Sequence, residues 1–255
     1  MSYLPDRDLE FLKFCTHEDL GFLVNQLTQT SGGKQRISSK MVHLDRFKTH
    51  FPQHKKYWNL IAGEIQIYGG HAFANIFAGS GVSYRSILKR VCKKLNVSFS
   101  DEKSTEANEV MLLSKVMMQS LERLTFEELQ ALVDQFQVDL HANTKSSLIS
   151  EINRSITLGK ITPRLIATLL TGSLAKFAFN RSLKYGLLKF LKIGASKWFG
   201  KALTAFTGPI GLAFTLTWLI HDLFGPDYKI LVPIVIHIAF LRIIYKEQGK
   251  TLQAA

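Results

Sequence analysis

The chain has 255 residues, of which 46% are apolar, and its 32 Lys and Arg against 20 Asp and Glu give a formal net charge of +12. This apolar content is enough for a core and excludes a wholly disordered chain. Two cysteines, Cys15 and Cys92, exclude a disulfide-rich scaffold and predict reduced thiols in a cytoplasmic protein.

Residues 1–97 are predicted to form an N-terminal helical domain. Thr16 is placed to cap a helix whose apolar residues recur at helical spacing (Leu20, Leu23, Val24, Leu27). Phe51-Pro52 interrupts any helix, and a new helix is predicted from Tyr57. A further helix, residues 84–95, has a basic outer face made by Arg85, Lys89, Arg90, Lys93 and Lys94.

Residues 98–160 are predicted to form a polar helical middle segment, in which Thr125 and Glu128 have the spacing of a capping box. Strand signals are scarce. The one β-branched cluster, residues 230–236, contains Pro233, which argues against a central strand. We therefore predict an all-α fold, a multi-helix bundle that ends in an apolar helical hairpin.

Residues 161–255 form a basic, apolar C-terminal region. Residues 155–255 hold 13 basic and three acidic side chains, a net charge of +10. Such an excess favours an anionic partner, either phospholipid headgroups or nucleic acid. Charge alone does not decide between these two partners.

Two apolar runs in this region predict the hairpin. Residues 202–221 are uncharged and would span about 30 Å as a helix, the thickness of the hydrocarbon core of a bilayer. Residues 230–241 are only twelve, which fits a buried or interfacial helix better. Basic residues flank the pair, with Arg242 following the second run. The residues expected to contact an anionic membrane surface are Lys184, Lys189, Lys192, Lys197, Trp198, Phe206, Phe214 and Trp218. A soluble helical core with a basic surface is the alternative.

The sequence contains no motif of catalysis, such as Gly-x-Ser-x-Gly, His-Glu-x-x-His or a P-loop. His50 and His54 have the i,i+4 spacing of metal ligands, but Pro52 between them disturbs the helix that would align them. Glu64 is either a buried acid or the partner of a nearby Arg. We predict no catalytic residue, no metal, no cofactor and no small-molecule substrate.

A nucleic-acid partner is an unfavoured alternative. Residues 124–152 predict a helix–linker–helix outline typical of small DNA-binding helix pairs. The segment is rich in acids (Glu127, Glu128, Asp134, Asp139, Glu151), whereas phosphate binding needs clustered Lys or Arg.

Three stretches of the chain, which begin at Tyr3, at Trp58 and at Gly225, form a recognisable pattern. The residues that carry the last two are Trp58, Glu64, Gly69, Gly70, Gly79, Gly81, Tyr84, Arg85, Gly225, Pro226, Tyr228, Pro233 and Arg242. Together these stretches resemble the YaaW-type family of uncharacterised bacterial proteins, which is distantly similar to the ubiquinol–cytochrome c chaperone family. The resemblance brings no activity and no catalytic residue. It implies a bacterial cytoplasmic origin and, by analogy of fold alone, a role in binding another protein.

The sequence therefore predicts a non-enzymatic helical protein at the inner face of the cytoplasmic membrane. Its basic apolar region would contact anionic membrane, and its N-terminal half would bind an unknown protein partner. A soluble assembly factor or chaperone-like protein is the first alternative, and a nucleic-acid binder is the second.

Overall fold

The computed structural model describes residues 3–30, 33–71, 81–121 and 226–247, together with Ser150, Glu151, Arg154, Leu158 and Arg164 singly. These residues form six α-helices: α1 (His17–Thr28), α2 (Asp45–His50), α3 (Trp58–His71), α4 (Tyr84–Lys94), α5 (Thr105–Leu121) and α6 (Pro226–Glu247). Among the described residues one 3-10 helix (Glu10–Phe14) precedes α1, and two more (Met41–His43 and His54–Tyr57) precede α2 and α3. The described residues contain no strand, only an isolated bridge between Gln29 and Gln35, so the all-α prediction is confirmed.

Local signals decide where the early helices begin and end. The Thr16 side chain accepts from the Asp19 N–H, and the Asp19 carboxylate accepts from the Thr16 N–H, so α1 starts with the cap predicted for Thr16. α2 stops at His50, directly before the cis Phe51-Pro52 bond, and the helical path resumes at His54. Gly33 follows α1 and has a φ of 73°, a left-handed backbone conformation that glycine adopts without steric cost.

The chain divides into two compact units, and the first is discontinuous in sequence. Met1–Met111 and Thr217–Ala255 form unit 1, whereas Leu112–Leu216 form unit 2. Unit 2 is therefore an insertion into the chain of unit 1, and the C-terminal helix α6 belongs with the N-terminal helices. The sequence analysis placed its boundaries elsewhere, after residues 97 and 160.

Helix α6 forms the centre of the unit 1 core. It packs against α1, α3 and α4. Val232, Ile234, Ile236 and Ile238 are each fully buried, and Pro233 lies inside the helix. A helix that is apolar on all sides is typical of a position covered by neighbours on all sides.

Within the part of the chain that the structure describes, α6 is the helix long and apolar enough to cross a membrane, over Tyr228–Lys246. In this structure 83% of that stretch is buried inside the protein. The core helix of a soluble protein passes the same test of length and composition. The other arm of the predicted hairpin, residues 202–221, lies outside the described residues.

Candidate functional site

A buried ion pair joins α6 to α5. The Arg242 Nε donates to the Glu109 Oε2 at 2.6 Å, and its Nη2 donates to the Glu109 Oε1 at 3.3 Å. The Tyr84 hydroxyl, at the start of α4, donates to the same Oε1 at 2.7 Å. The exposed fraction is 0% for Tyr84, 2% for Glu109 and 4% for Arg242. This arrangement, which we call the Arg242 cluster, satisfies both carboxylate oxygens out of contact with solvent.

The N-terminal segment completes the Arg242 cluster. The Arg242 Nη2 also donates to the Asp8 carbonyl at 2.6 Å, and the guanidinium lies 4.5 Å from the centre of the Phe11 ring. The Asp8 carboxylate accepts from the Thr105 hydroxyl at 2.7 Å. Residues from four separate parts of unit 1 therefore meet around one guanidinium, which offers several donors in a rigid plane.

Burial and charge act in opposite directions on these groups. Burial raises the pKa of the Glu109 carboxyl, whereas the Arg242 guanidinium and the Tyr84 hydroxyl oppose that rise. Burial disfavours the charged guanidinium, but Glu109 outweighs it and the pKa of Arg242 is raised. Burial and the Glu109 charge together raise the pKa of Tyr84. The guanidinium therefore stays charged at neutral pH.

The Arg242 cluster has a structural role, because it holds α6 against α5 and the N-terminal segment. A ligand would have to displace protein groups to reach its atoms, because all three side chains are sealed from solvent. Arg242 follows the second apolar run as one of its basic flanking residues, and in the structure its side chain is buried in unit 1. Lys246, one turn later, is also paired, with its Nζ 2.6 Å from the Glu106 Oε2. Both cations that end α6 are therefore neutralised by acids of α5.

Sequence reasoning did not single out Glu109, although a signal was present. Leu112, Leu113 and Val116 follow Glu109 at the three-, four- and seven-residue spacing that marks one face of a helix, and all three are buried. An acid that begins an apolar stripe is directed towards the core, where it needs a cationic partner.

Glu64 is the buried acid that the sequence offered as one of two options. It is 0% exposed, and its Oε1 accepts from the Lys40 N–H at 2.7 Å. Its Oε2 and the Ser39 hydroxyl are both buried, and neither has a hydrogen-bond partner of good geometry. Burial raises the pKa of Glu64, whereas the nearby Ser39 hydroxyl and the backbone N–H groups of Lys40 and Met41 oppose that rise. Among the described residues no Arg pairs with Glu64.

Two glycines of the sequence motifs allow close packing. A Cβ on Gly69 would lie 2.5 Å from two side-chain carbons of Ile87, so α3 and α4 touch here without a side chain between them. A Cβ on Gly81 would lie 2.8 Å from the Gln66 Cβ. Gly81 therefore has a packing role, while Gly79 lies outside the described residues.

The remaining motif residues hold helix ends and unit 1 contacts. Trp58 opens α3, and its ring meets Tyr3 edge to face at 5.5 Å. Arg85 donates to the carbonyls of Ser100, Asp101 and Lys103, which attaches the loop before α5 to α4. Pro226 opens α6, the Tyr228 ring lies 5.3 Å from the Lys94 Nζ, and Gly70 lies within α3. Gly225 lies outside the described residues.

Comparison with known proteins identifies the family. Residues 3–37 match a family model described as a domain of unknown function, DUF3944. A Helicobacter pylori (strain J99) protein named UPF0174 protein is 31% identical over 244 residues, covering 95% of this chain and 93% of that protein. The Escherichia coli (strain K12) UPF0174 protein YaaW is 32% identical over 245 residues, covering 95% and 96%.

The chain belongs to the UPF0174 family. The predicted resemblance to YaaW-type proteins is thereby confirmed, and the names of these relatives state no activity, ligand or partner. The similarity to the ubiquinol–cytochrome c chaperone family stays a prediction. No solved structure matches the chain.

Two histidines of this UPF0174 protein, His17 and His54, have their rings in contact. The His17 and His54 rings lie 4.3 Å apart, and the Nδ1 of His54 is hydrogen-bonded to the Tyr57 hydroxyl. Burial, aided by His17, lowers the pKa of His54 to about 4. Within the described ranges no group of three or more His, Cys, Asp or Glu could hold a metal ion. The i,i+4 pair of His50 and His54 is therefore split, as Pro52 predicted.

Both cysteines of the UPF0174 chain are free and buried. Burial raises the pKa of Cys92 to about 12 and that of Cys15 further. Because the thiolate is the reactive form, this environment disfavours either thiol as a nucleophile.

The residues that the sequence assigns to membrane contact lie outside the described residues of this UPF0174 protein. They are Lys184, Lys189, Lys192, Lys197, Trp198, Phe206, Phe214 and Trp218. The structure does not test their role.

Proposed function

We propose that this UPF0174 protein is a non-enzymatic helical protein that associates with anionic membrane through residues 152–221, at the inner face of the cytoplasmic membrane. The N-terminal half would then bind a protein partner through its folded surface. One observation carries the proposal: between Glu151 and Asp222 the chain has ten Lys and Arg and no Asp or Glu. Each basic residue near an anionic leaflet contributes about 1 kcal/mol of attraction.

The same segment is rich in the side chains that partition to a membrane interface. Trp198 and Trp218 are two of the three tryptophans of the chain, and the same segment of sequence also has Tyr185 and six Phe. Trp and Tyr favour the headgroup level of a bilayer because each has an apolar ring and a polar group, and Phe adds apolar surface. Long Lys stems add apolar contact while the ammonium group stays among the headgroups.

The part of the chain that the structure describes limits which residues can contact a membrane. The apolar helix α6 is already covered by α1, α3 and α4, and its last cations pair with Glu106 and Glu109. We therefore assign membrane contact to the segment within unit 2 and its continuation to His221, and not to α6. The charge of Arg164 is partly neutralised, since its Nε lies 3.1 Å from the Glu151 Oε1.

Vesicle sedimentation of the full chain tests this proposal. The quadruple variant Lys184→Gln, Lys189→Gln, Lys192→Gln, Lys197→Gln should weaken binding to phosphatidylglycerol-containing vesicles by more than about 100-fold at low salt. A matched quadruple variant at Lys13, Lys34, Lys93 and Lys103, all in unit 1, removes the same charge. It should change binding only slightly.

Equal weakening by the two quadruple variants would contradict the proposal, since net charge alone would then explain binding. Failure of the full chain to bind any vesicle, with recovery in the soluble fraction of cells, would favour the soluble assembly-factor alternative. A salt-dependent shift of nucleic acid that requires the four lysines would favour the nucleic-acid alternative.

A further inference from the structure

A basic turn of unit 1, residues 46–56, is held rigidly by its own packing. The buried Phe47 ring of α2 lies 5.2 Å from the Tyr57 ring. The Arg46 Nη2 donates to the Lys56 carbonyl at 2.7 Å, which links α2 to the 3-10 helix His54–Tyr57. Arg46, Lys48, Lys55 and Lys56 are all exposed on this short compact segment.

The positive charge of the basic turn is not neutralised within the described residues. None of these four side chains forms an ion pair there, whereas Lys89 pairs with Asp101 at 2.6 Å and Lys246 with Glu106. Between Asp19 and Glu64 the chain has a single acid, Asp45, against seven Lys and Arg. Lys13, Lys89 and Lys246 of unit 1 each pair with a carboxylate, whereas the four cations of the basic turn do not, so this surface is available to an anionic partner.

An apolar side chain and a cavity lie within the same surface. Phe51, at the tip of the turn, is 55% exposed. A cavity of about 350 Å³ beside it is lined by His17, Pro52, Gln53, Lys55 and Lys56. The Nδ1 of His17 accepts from the His54 N–H at 3.4 Å, so the other ring nitrogen remains for a ligand. An exposed aromatic side chain on the same short segment as several cations is typical of surfaces that enter a lipid interface.

We infer that the basic turn docks unit 1 onto anionic phospholipid. In this arrangement a headgroup phosphate lies between His17, Lys55 and Lys56, and Phe51 enters the acyl boundary. The choice of phospholipid over another polyanion rests on the proposed membrane function, and Phe51 supports it. A nucleic-acid duplex would use the lysines, but its bases are already stacked and it would gain little from the Phe51 ring, which contacts Phe47 at 5.4 Å and His54 at 5.8 Å.

Neutralising the cavity lysines tests the inference in the full chain. Lys55→Gln with Lys56→Gln should weaken binding to phosphatidylglycerol-containing vesicles about 30-fold, since each lysine near an anionic surface changes affinity about fivefold. The matched pair Lys93→Gln with Lys103→Gln removes the same charge from exposed lysines of unit 1 and should leave the affinity within about twofold. Phe51→Ser should weaken binding roughly tenfold, and the control Phe14→Ser, 43% exposed in the native chain, should not.

The outcomes separate this inference from the proposed function. If the Lys184 to Lys197 variants weaken vesicle binding and the Lys55 and Lys56 pair matches its control, the inference is overturned and the proposed function stands. If the Lys55 and Lys56 pair alone weakens binding, the inference stands and the proposed function fails. Binding to RNA that requires Lys55 and Lys56, with no binding to vesicles, would also overturn the inference.

Discussion

The Arg242 guanidinium and the Glu109 carboxylate form a buried ion pair across 133 positions of sequence, with the Nε 2.6 Å from the Oε2. The pair attaches the C-terminal helix to the unit that begins at the N-terminus. All of unit 2 lies between its two members in the chain. Unit 1 therefore closes only after unit 2 has been synthesised, because α6 supplies its core.

Removing one member of this pair should destabilise unit 1 strongly. Arg242→Met leaves the Glu109 carboxylate buried without a counter-charge, which should cost about 3–5 kcal/mol of unfolding free energy. Adding Glu109→Gln should recover much of that loss, because the amide oxygen still accepts from Tyr84 and no charge stays buried. Urea unfolding followed by circular dichroism measures both variants.

A control for this prediction lies one turn further along α6. Lys246→Met breaks the exposed pair with Glu106 and should cost less than about 1 kcal/mol. Equal losses for Arg242→Met and Lys246→Met would show that burial adds nothing to the ion pair, contrary to our interpretation.

Gly69→Ala should separate α3 from α4. The new methyl group would lie 2.5 Å from Ile87, which is 1% exposed and has little space to move, so a loss of about 1–3 kcal/mol is expected. Gly21→Ala is the matched control, since its methyl group would lie 3.5 Å from the His54 ring and alanine favours the helix. Thermal unfolding compares the two. Ile87→Val should restore part of the loss in the Gly69→Ala background and should not in the Gly21→Ala background.

Local features of the fold could be predicted from sequence, while long-range partners could not. Thr16 and Asp19 are three residues apart, so the cap of α1 could be predicted from a short stretch of sequence. Arg242 and Glu109 have no such proximity, so the apolar stripe after Glu109 could indicate its burial but not which cation pairs with it. The environment of α6 could not be predicted from its sequence either, because a protein core and the hydrocarbon of a bilayer are both apolar and favour the same side chains. Only the packing against α1, α3 and α4 distinguishes them.

Glu64→Gln should stabilise unit 1 at neutral and higher pH. Burial raises the pKa of Glu64 in the folded protein, so the proton it holds contributes stability below the unfolded pKa. That contribution is lost as the pH rises through the folded pKa. Glutamine keeps an acceptor for the Lys40 N–H and directs a donor at the unpartnered Ser39 hydroxyl.

The gain from Glu64→Gln should be about 1 kcal/mol near pH 8 and smaller near pH 5, as measured by urea unfolding at each pH. Glu64→Ala, which leaves the Lys40 N–H without its acceptor, should instead cost about 1–3 kcal/mol. A Glu64→Gln difference that is the same at both pH values would argue against a proton held by Glu64.

Acid should loosen the contact between α6 and α1 through His237. Its Nε2–H donates to the Asp19 carbonyl at 2.9 Å, and its ring packs 4.5 Å from the Phe22 ring. Burial lowers the pKa of His237 to about 4, against an opposing effect of Asp19. The folded protein therefore binds fewer protons than the unfolded chain between about pH 6.5 and pH 4. The contribution of His237 to the unfolding free energy is complete above pH 6.5 and falls as the pH falls towards 4, by about 3 kcal/mol.

His237→Gln keeps a hydrogen-bond donor but does not titrate, so its unfolding free energy should exceed that of the native chain increasingly below pH 6. Parallel pH curves for the two proteins would rule out a neutral buried His237.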